Sequence, residues 1–313
     1  MTHFENVPLP FRLLKEHEYA LIDRCLMGES QQGIAEIAPD LLPIVPMGME
    51  GDIESLPALL DLSALSNDAQ QALFSLLESK HRAQEILPIV CLFKCDASIE
   101  QLHRHWVQKI IVQTTLGRKF LLRSYAPSVF VQLQRIYSPA QIRALFGNIK
   151  VWSIYHDQCW HSITAPAVEA PNHRLIEETQ LAQLLRVQAI NRTLAELTAQ
   201  PNNLQADGTT GPNCQRFHYR EEDPADYFAM SRTVDTLIAR AQAYGLTSED
   251  DQVLFALHGC SLSSQFDAHP RIQQLLAERD PQEQTYHDVV ALLQPEDWQR
   301  IRFDLQSPAF PKA

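Results

Sequence analysis

The stretch "GRKFLLRSYAPSVF", Gly117–Phe130, decides how this chain is read. Residues 118–124 form a basic, apolar strand pattern ending at Arg123, and Pro127 stops the strand. Residues 108–114 form a second such run, and the TLGR between the two reads as the turn of a β-hairpin. An arginine and a tyrosine at a strand end suggest an active site. Catalysis, however, needs a base, a donor and a pocket. The other reading is that Arg123 neutralises a buried acid. The sequence offers one in "EYALIDRCL", residues 18–26, where Asp23 interrupts an apolar strand-like run. An isolated charge in such a run costs several kcal/mol. If the two strands are neighbours, a buried, hydrogen-bonded Asp23–Arg123 pair removes that cost, and the guanidinium fork suits it. The expectation is a structural ion pair, not a catalytic one.

Working outward, strands and helices interleave up to residue 163. Residues 41–46 are a short apolar run between prolines, and 86–93 (ILPIVCLF) are a strand-length apolar run. Residues 68–81 have helical spacing at Ala69, Leu73, Leu76 and Leu77, and 98–106 suit a short helix. Ser138-Pro139-Ala140-Gln141 opens a helix with a capping box and ends it at Gly147. KVWSIY (150–155) and CWHSI (159–163) alternate like paired strands.

After Ile163 the texture changes. Residues 164–174 are a proline-containing linker, and only helical patterns follow. Residues 175–199 carry a stripe of Leu184, Val187, Ile190, Leu194 and Leu197. Residues 200–223 are a polar loop. A helix starts at Asp223-Pro224 and stops at Gly245, the next is capped by Thr247 or Ser248 and ends near Gly259, and 270–278 and 282–293 are two more. The fold class is therefore α+β. A mixed α/β lobe, residues 1–163, with a small sheet flanked by helices, precedes an all-helical lobe, residues 175–313.

Charge divides along the same line. The net charge is −12, with 14 basic and 17 acidic side chains in residues 1–163 against 12 and 21 in residues 164–313. From Gln101 to His156 there are eight Lys/Arg and no acid. With Phe120, Tyr125, Tyr137 and Trp152 interleaved, this segment, residues 101–156, is the alternative candidate for a nucleic-acid-binding module. The overall negative charge opposes that, because such affinity is mostly phosphate neutralisation. No nucleic-acid or membrane partner is expected. The six cysteines read as reduced thiols, and no export signal or membrane-length apolar run is seen, so a cytoplasmic protein is expected.

The sequence holds no phosphate loop, nucleophile elbow or HExxH. His156, Cys159 and His161 form the nearest approach to a metal- or thiol-dependent hydrolase site, but no fourth ligand is near. His103 and His105 read as surface residues. No cofactor or metal is expected, and the chain is not expected to be an enzyme.

Several short motifs occur in a telling order: YALID (19–23), LHRHW (102–106), GRKFLLRSYAPSVF (117–130) and LFGNIKVW (145–152). This order resembles the type VI secretion effector chaperones, or tip adaptor proteins (the Tap/TEC adaptor domain), over residues 17–155. Asp23, Gly117, Arg123, Tyr125, Pro127, Gly147, Ile149 and Trp152 match the family pattern. Ala126 stands where the family has Asp before the proline, and Asn148 where it has Pro. Loss of that carboxylate removes a helix cap, for which Ser124 or Ser128 is the expected substitute. Residues 244–276 resemble the family's helical lobe. The resemblance implies a non-catalytic cytoplasmic adaptor that binds a secreted effector and promotes its loading onto the VgrG spike protein. Aromatic anchors serve such interfaces. The candidates for partner contact are Tyr125, Phe130, Tyr137, Trp152 and Tyr227, with the 200–223 loop beside the last.

Overall fold

The computed structural model describes residues 5–7, 11–26, 31–46, 48, 56–83, 85, 87–156, 159–169, 175–199 and 224–307. Two compact units divide between Leu181 and Ala182. The first is α+β and the second is helical.

The first unit is built on a seven-stranded sheet of β1 (Glu5–Val7), β2 (Tyr19–Ile22), β3 (Leu42–Pro43), β4 (Ala58–Asp61), β5 (Ile89–Cys95), β8 (Ile149–His156) and β9 (Cys159–Thr164). Its order is β1-β9-β8-β5-β2-β4-β3, and every pairing is antiparallel. Successive side chains on a strand face opposite sides, and in β5 both sides are covered. Leu92 joins Ala20, Leu60 and Trp160 in a cluster with Leu13 and Leu14 of α1 (Phe11–Lys15), Ile34 of α2 (Gln31–Ile37) and Leu73 and Leu77 of α3 (Asn67–Arg82). Phe93 faces the other way, toward the indoles of Trp106 and Trp152.

That second face is closed by α4 (Ile99–Lys109), α5 (Pro127–Ile136) and α6 (Pro139–Phe146). Each begins as its sequence dictates. Ser98 and Ser138 form capping boxes with Gln101 and Gln141, and Pro127 and Pro139 occupy first-turn positions. Trp106, Phe130, Phe146 and Trp152 are buried together, with Phe130 stacked on Trp152 at 4.0 Å between ring centroids.

A second sheet has the order β10-β6-β7, formed by β6 (Ile111–Thr114), β7 (Lys119–Leu121) and β10 (Leu175–Ile176). The β6–β7 hairpin closes through a three-residue loop in which Gly117 has φ +82°, the left-handed conformation that this loop class requires. The amide of Gly117 donates to the Thr114 carbonyl at 2.9 Å. Residues 175–176, read from sequence as the start of the helical lobe, pair in parallel with β6 and so lie in the first unit.

Around the second unit the single helix expected over 175–199 is two, α7 (Glu178–Leu185) and α8 (Val187–Ala199). The break falls at Arg186, whose Nε donates to the buried Asp235 at 2.6 Å. Asp235 lies on α9 (Pro224–Ala243), which stops before Gly245 at φ +73°. Ser248 caps α10 (Glu249–Ser261). Gly259 does not end α10. It lies inside the helix, and a Cβ there would stand 2.7 Å from Leu237 Cδ1 of α9. The unit is completed by α11 (Pro270–Glu278), α12 (Tyr286–Val290) and α13 (Pro295–Gln306). Its core holds Phe255, Phe266, Tyr286 and Ile301. No helix among the described residues is long and apolar enough to cross a membrane.

Candidate partner-binding surface

The structure brings Arg123 and Asp23 together. Arg123 Nη2 donates to Asp23 Oδ2, and Arg123 Nε donates to Tyr125 Oη at 3.1 Å. The surroundings of the pair differ from the expectation in one respect. Neither residue lies within a strand: β2 ends at Ile22 and β7 at Leu121. Asp23 is sealed by the chain itself, its amide donating to the Pro88 carbonyl at 2.9 Å. Arg123 sits in a turn, where the amide of Ala126 donates to its carbonyl at 2.9 Å, and its side chain is 42% exposed. The acid is buried and the base is its solvent-side cover. Burial pushes the Tyr125 phenol up to about 12, so it stays protonated at neutral pH.

Three of the aromatic candidates for partner contact are core residues instead. Tyr125, Phe130 and Trp152 are buried, because the second face of the large sheet needs large rings to fill the space under α4–α6. Tyr137 is half-buried, and its hydroxyl is buried without a hydrogen-bond partner among the described residues. Ser124 Oγ shares that state, and both residues line a cavity of about 50 Å³ between β6 and α6. Burial also raises the Tyr137 phenol. Tyr227 is half-buried against the core of the helical unit. The 200–223 loop lies outside the described residues.

Helix α5 has Ala126 as its N-cap, with no side-chain cap bond from that residue, and Ser124, an expected substitute, has its hydroxyl buried without a partner among the described residues. His103 and His105, expected at the surface, are half-buried and bonded to backbone carbonyls, of Pro43 at 2.8 Å and Leu145 at 2.7 Å. The His105 ring lies where a side chain at residue 147 would stand. A Cβ on Gly147 would be 2.6 Å from its Nδ1, and Gly147 has φ +57°.

Of the hydrolase candidates, His161 Nε2 meets the His156 carbonyl at 3.2 Å, and His156 pairs with Cys159 across the β8–β9 turn. The Cys159 side chain lies outside the described residues. Among the described residues no group of three or more His, Cys, Asp or Glu is placed to hold a metal. The basic segment is dispersed by local partners. Arg118 pairs with Glu178, Arg123 with Asp23 and Lys150 with Asp96, and Arg143 bonds to the Gly147 carbonyl.

The sequence reading missed the exposed side of the β6–β7 hairpin. Leu116 is 73% exposed at its tip, and Leu121 and Lys119 are exposed on β7. A leucine within the turn, in TLGR, is the signal that marks it, because apolar side chains are unusual at a solvated loop tip.

Residues 5–144 match the family model described as Domain of unknown function (DUF4123). This family is associated with adaptors of type VI secretion effectors. The DUF4123 match takes in Asp23, the hairpin, Arg123, Tyr125, Phe130 and Tyr137, and ends within α6 before Gly147 and Trp152. No curated protein and no solved structure matches the chain.

Proposed function

We propose that this protein is a cytoplasmic, non-catalytic adaptor chaperone that binds a type VI secretion effector and promotes its loading onto the VgrG spike. The observation that carries this reading is the DUF4123 match across residues 5–144, most of the α+β unit. The geometry agrees with a scaffold. The charged pair that most resembles catalytic equipment, Asp23 with Arg123, joins two distant stretches of chain, and the phenol beside it stays protonated. The β6–β7 hairpin presents Leu116, Lys119 and Leu121 to solvent.

The test is affinity capture of the full chain co-expressed with the effector and spike proteins encoded beside it. The adaptor reading expects a stable complex with the effector, retained on the spike. Absence of any such complex, together with turnover of a substrate by the isolated chain, would overturn it.

A further inference from the structure

The adaptor reading does not say where the effector is gripped, and the small sheet supplies an answer. In the β6–β7 hairpin the amide of Thr114 donates to the Arg118 carbonyl at 2.8 Å and that of Leu122 to the Ile110 carbonyl at 2.8 Å. With Val112 opposite Phe120, this register turns the peptide groups of residues 118, 120 and 122 toward β6. Those of Lys119 and Leu121 therefore point away from it. β7 is the edge of its sheet, and among the described residues no hydrogen bond reaches the N–H or C=O of either residue. Four main-chain groups thus stand in a row with no partner among the described residues, and the side chains of Leu116 and Leu121 are exposed beside them. An unpaired edge is a template for another extended chain.

Charge selects the occupant. Lys119 is exposed with no acidic partner among the described residues, while its neighbour Arg118 is held by Glu178. The surrounding sequence, residues 101–156, contains no Asp or Glu. A second copy pairing across this edge would set the two hairpins' cations against each other, which is destabilising. An acidic strand has no such cost. We propose that the outer edge of β7 receives an extended segment of the effector as a fourth strand of the small sheet, with a carboxylate beside Lys119 and an apolar side chain against Leu121. This inference rests on the adaptor reading and assigns its contact surface.

The experiment measures binding of the full-length effector encoded beside this gene to the full chain. Leu121→Pro removes one outward N–H while leaving the bonds to β6, and Lys119→Glu reverses the selecting charge. Each is expected to weaken binding about tenfold or more with the melting temperature unchanged, and the amides of Lys119 and Leu121 in the wild-type chain should become protected from hydrogen exchange on effector binding. The exchange measurement decides the matter if Leu121→Pro fails to fold. Wild-type affinity in both variants, or unchanged exchange at both amides, would overturn this site while leaving the adaptor reading intact. No effector binding by the wild-type chain would remove the adaptor reading and this site with it. A dimer that Leu121→Pro dissociates would assign the edge to a second copy.

Discussion

Arg123 covers Asp23 from the solvent side: the carboxylate side chain retains 2% of its exposure and the guanidinium 42%. The pair ties the end of β2 to the turn before α5, segments 100 residues apart in sequence. Its two halves are unequal, since an unpaired Arg123 would be rehydrated and an unpaired Asp23 would not.

Replacing Arg123 should therefore cost more than its exposure suggests. Arg123→Met is expected to destabilise the first unit by about 1–3 kcal/mol, read from urea unfolding. Adding Asp23→Asn should recover part of that loss, so the double variant falls short of the sum of the singles. An Arg123→Met protein as stable as the parent would show that the pair contributes nothing.

Gly147 is demanded twice over. Its φ of +57° with ψ −116° excludes a Cβ, and the His105 ring fills the space where one would go. Gly147→Ala should cost roughly 2 kcal/mol or more. His105→Ala in the same chain should restore only the steric part, leaving the backbone penalty visible in the melting temperature.

The bare start of α5 leaves room for improvement. Ala126 has the extended backbone of a capping residue and no side-chain acceptor. Ala126→Asp should stabilise the unit by about 1 kcal/mol, through a bond to the first-turn amides and the favourable helix-end charge. Loss of stability in this variant would mean that the carboxylate is repelled by its surroundings.

His258 makes the helical unit sensitive to acid. The ring is buried, and burial lowers its pKa to about 4; its Nδ1 lies 2.9 Å from Tyr286 Oη. The unfolded chain, at about 6.5, binds a proton that the folded unit refuses. Stability therefore falls as the pH drops from about 6.5 to about 4 and is fully present above that range. The contribution of this ring is roughly 3 kcal/mol. Thermal unfolding at pH 7 and pH 5 checks the sign, and a ring that titrates near 6.5 in the folded protein by NMR would refute it.

Much of the fold is legible wherever a local signal suffices. The capping boxes at Ser98 and Ser138 mark real helix starts, and TLGR is the hairpin loop. Leu73 and Leu77 face the core as their spacing requires. Signals that depend on the partner are not legible. Gly259 looks like a terminator until Leu237 is seen against it. Arg186 looks like one more helical residue until Asp235 draws it out of the line. The α13 helix, opening at Pro295, lies beyond the last helix legible in the sequence, although the Asp297 carboxylate accepts from the Gln294 amide there at 3.0 Å. The site suffered most. Large aromatic rings suit both interiors and contacts, so composition alone could not place Phe130 and Trp152 inside, or show that Leu116, Lys119 and Leu121 stand exposed on the hairpin.

The strand order of the large sheet sets a limit on how the chain can be divided. Central β5 lies between β2, made early, and β8, made more than fifty residues later. A fragment cut at residue 144 would carry every residue of the DUF4123 match yet lack β8 and β9. It would present one side of β5 bare and Phe93 without the indole of Trp152. On the ribosome the same gap persists until residue 164 has emerged, so the nascent protein exposes a sticky central strand for the whole of that interval.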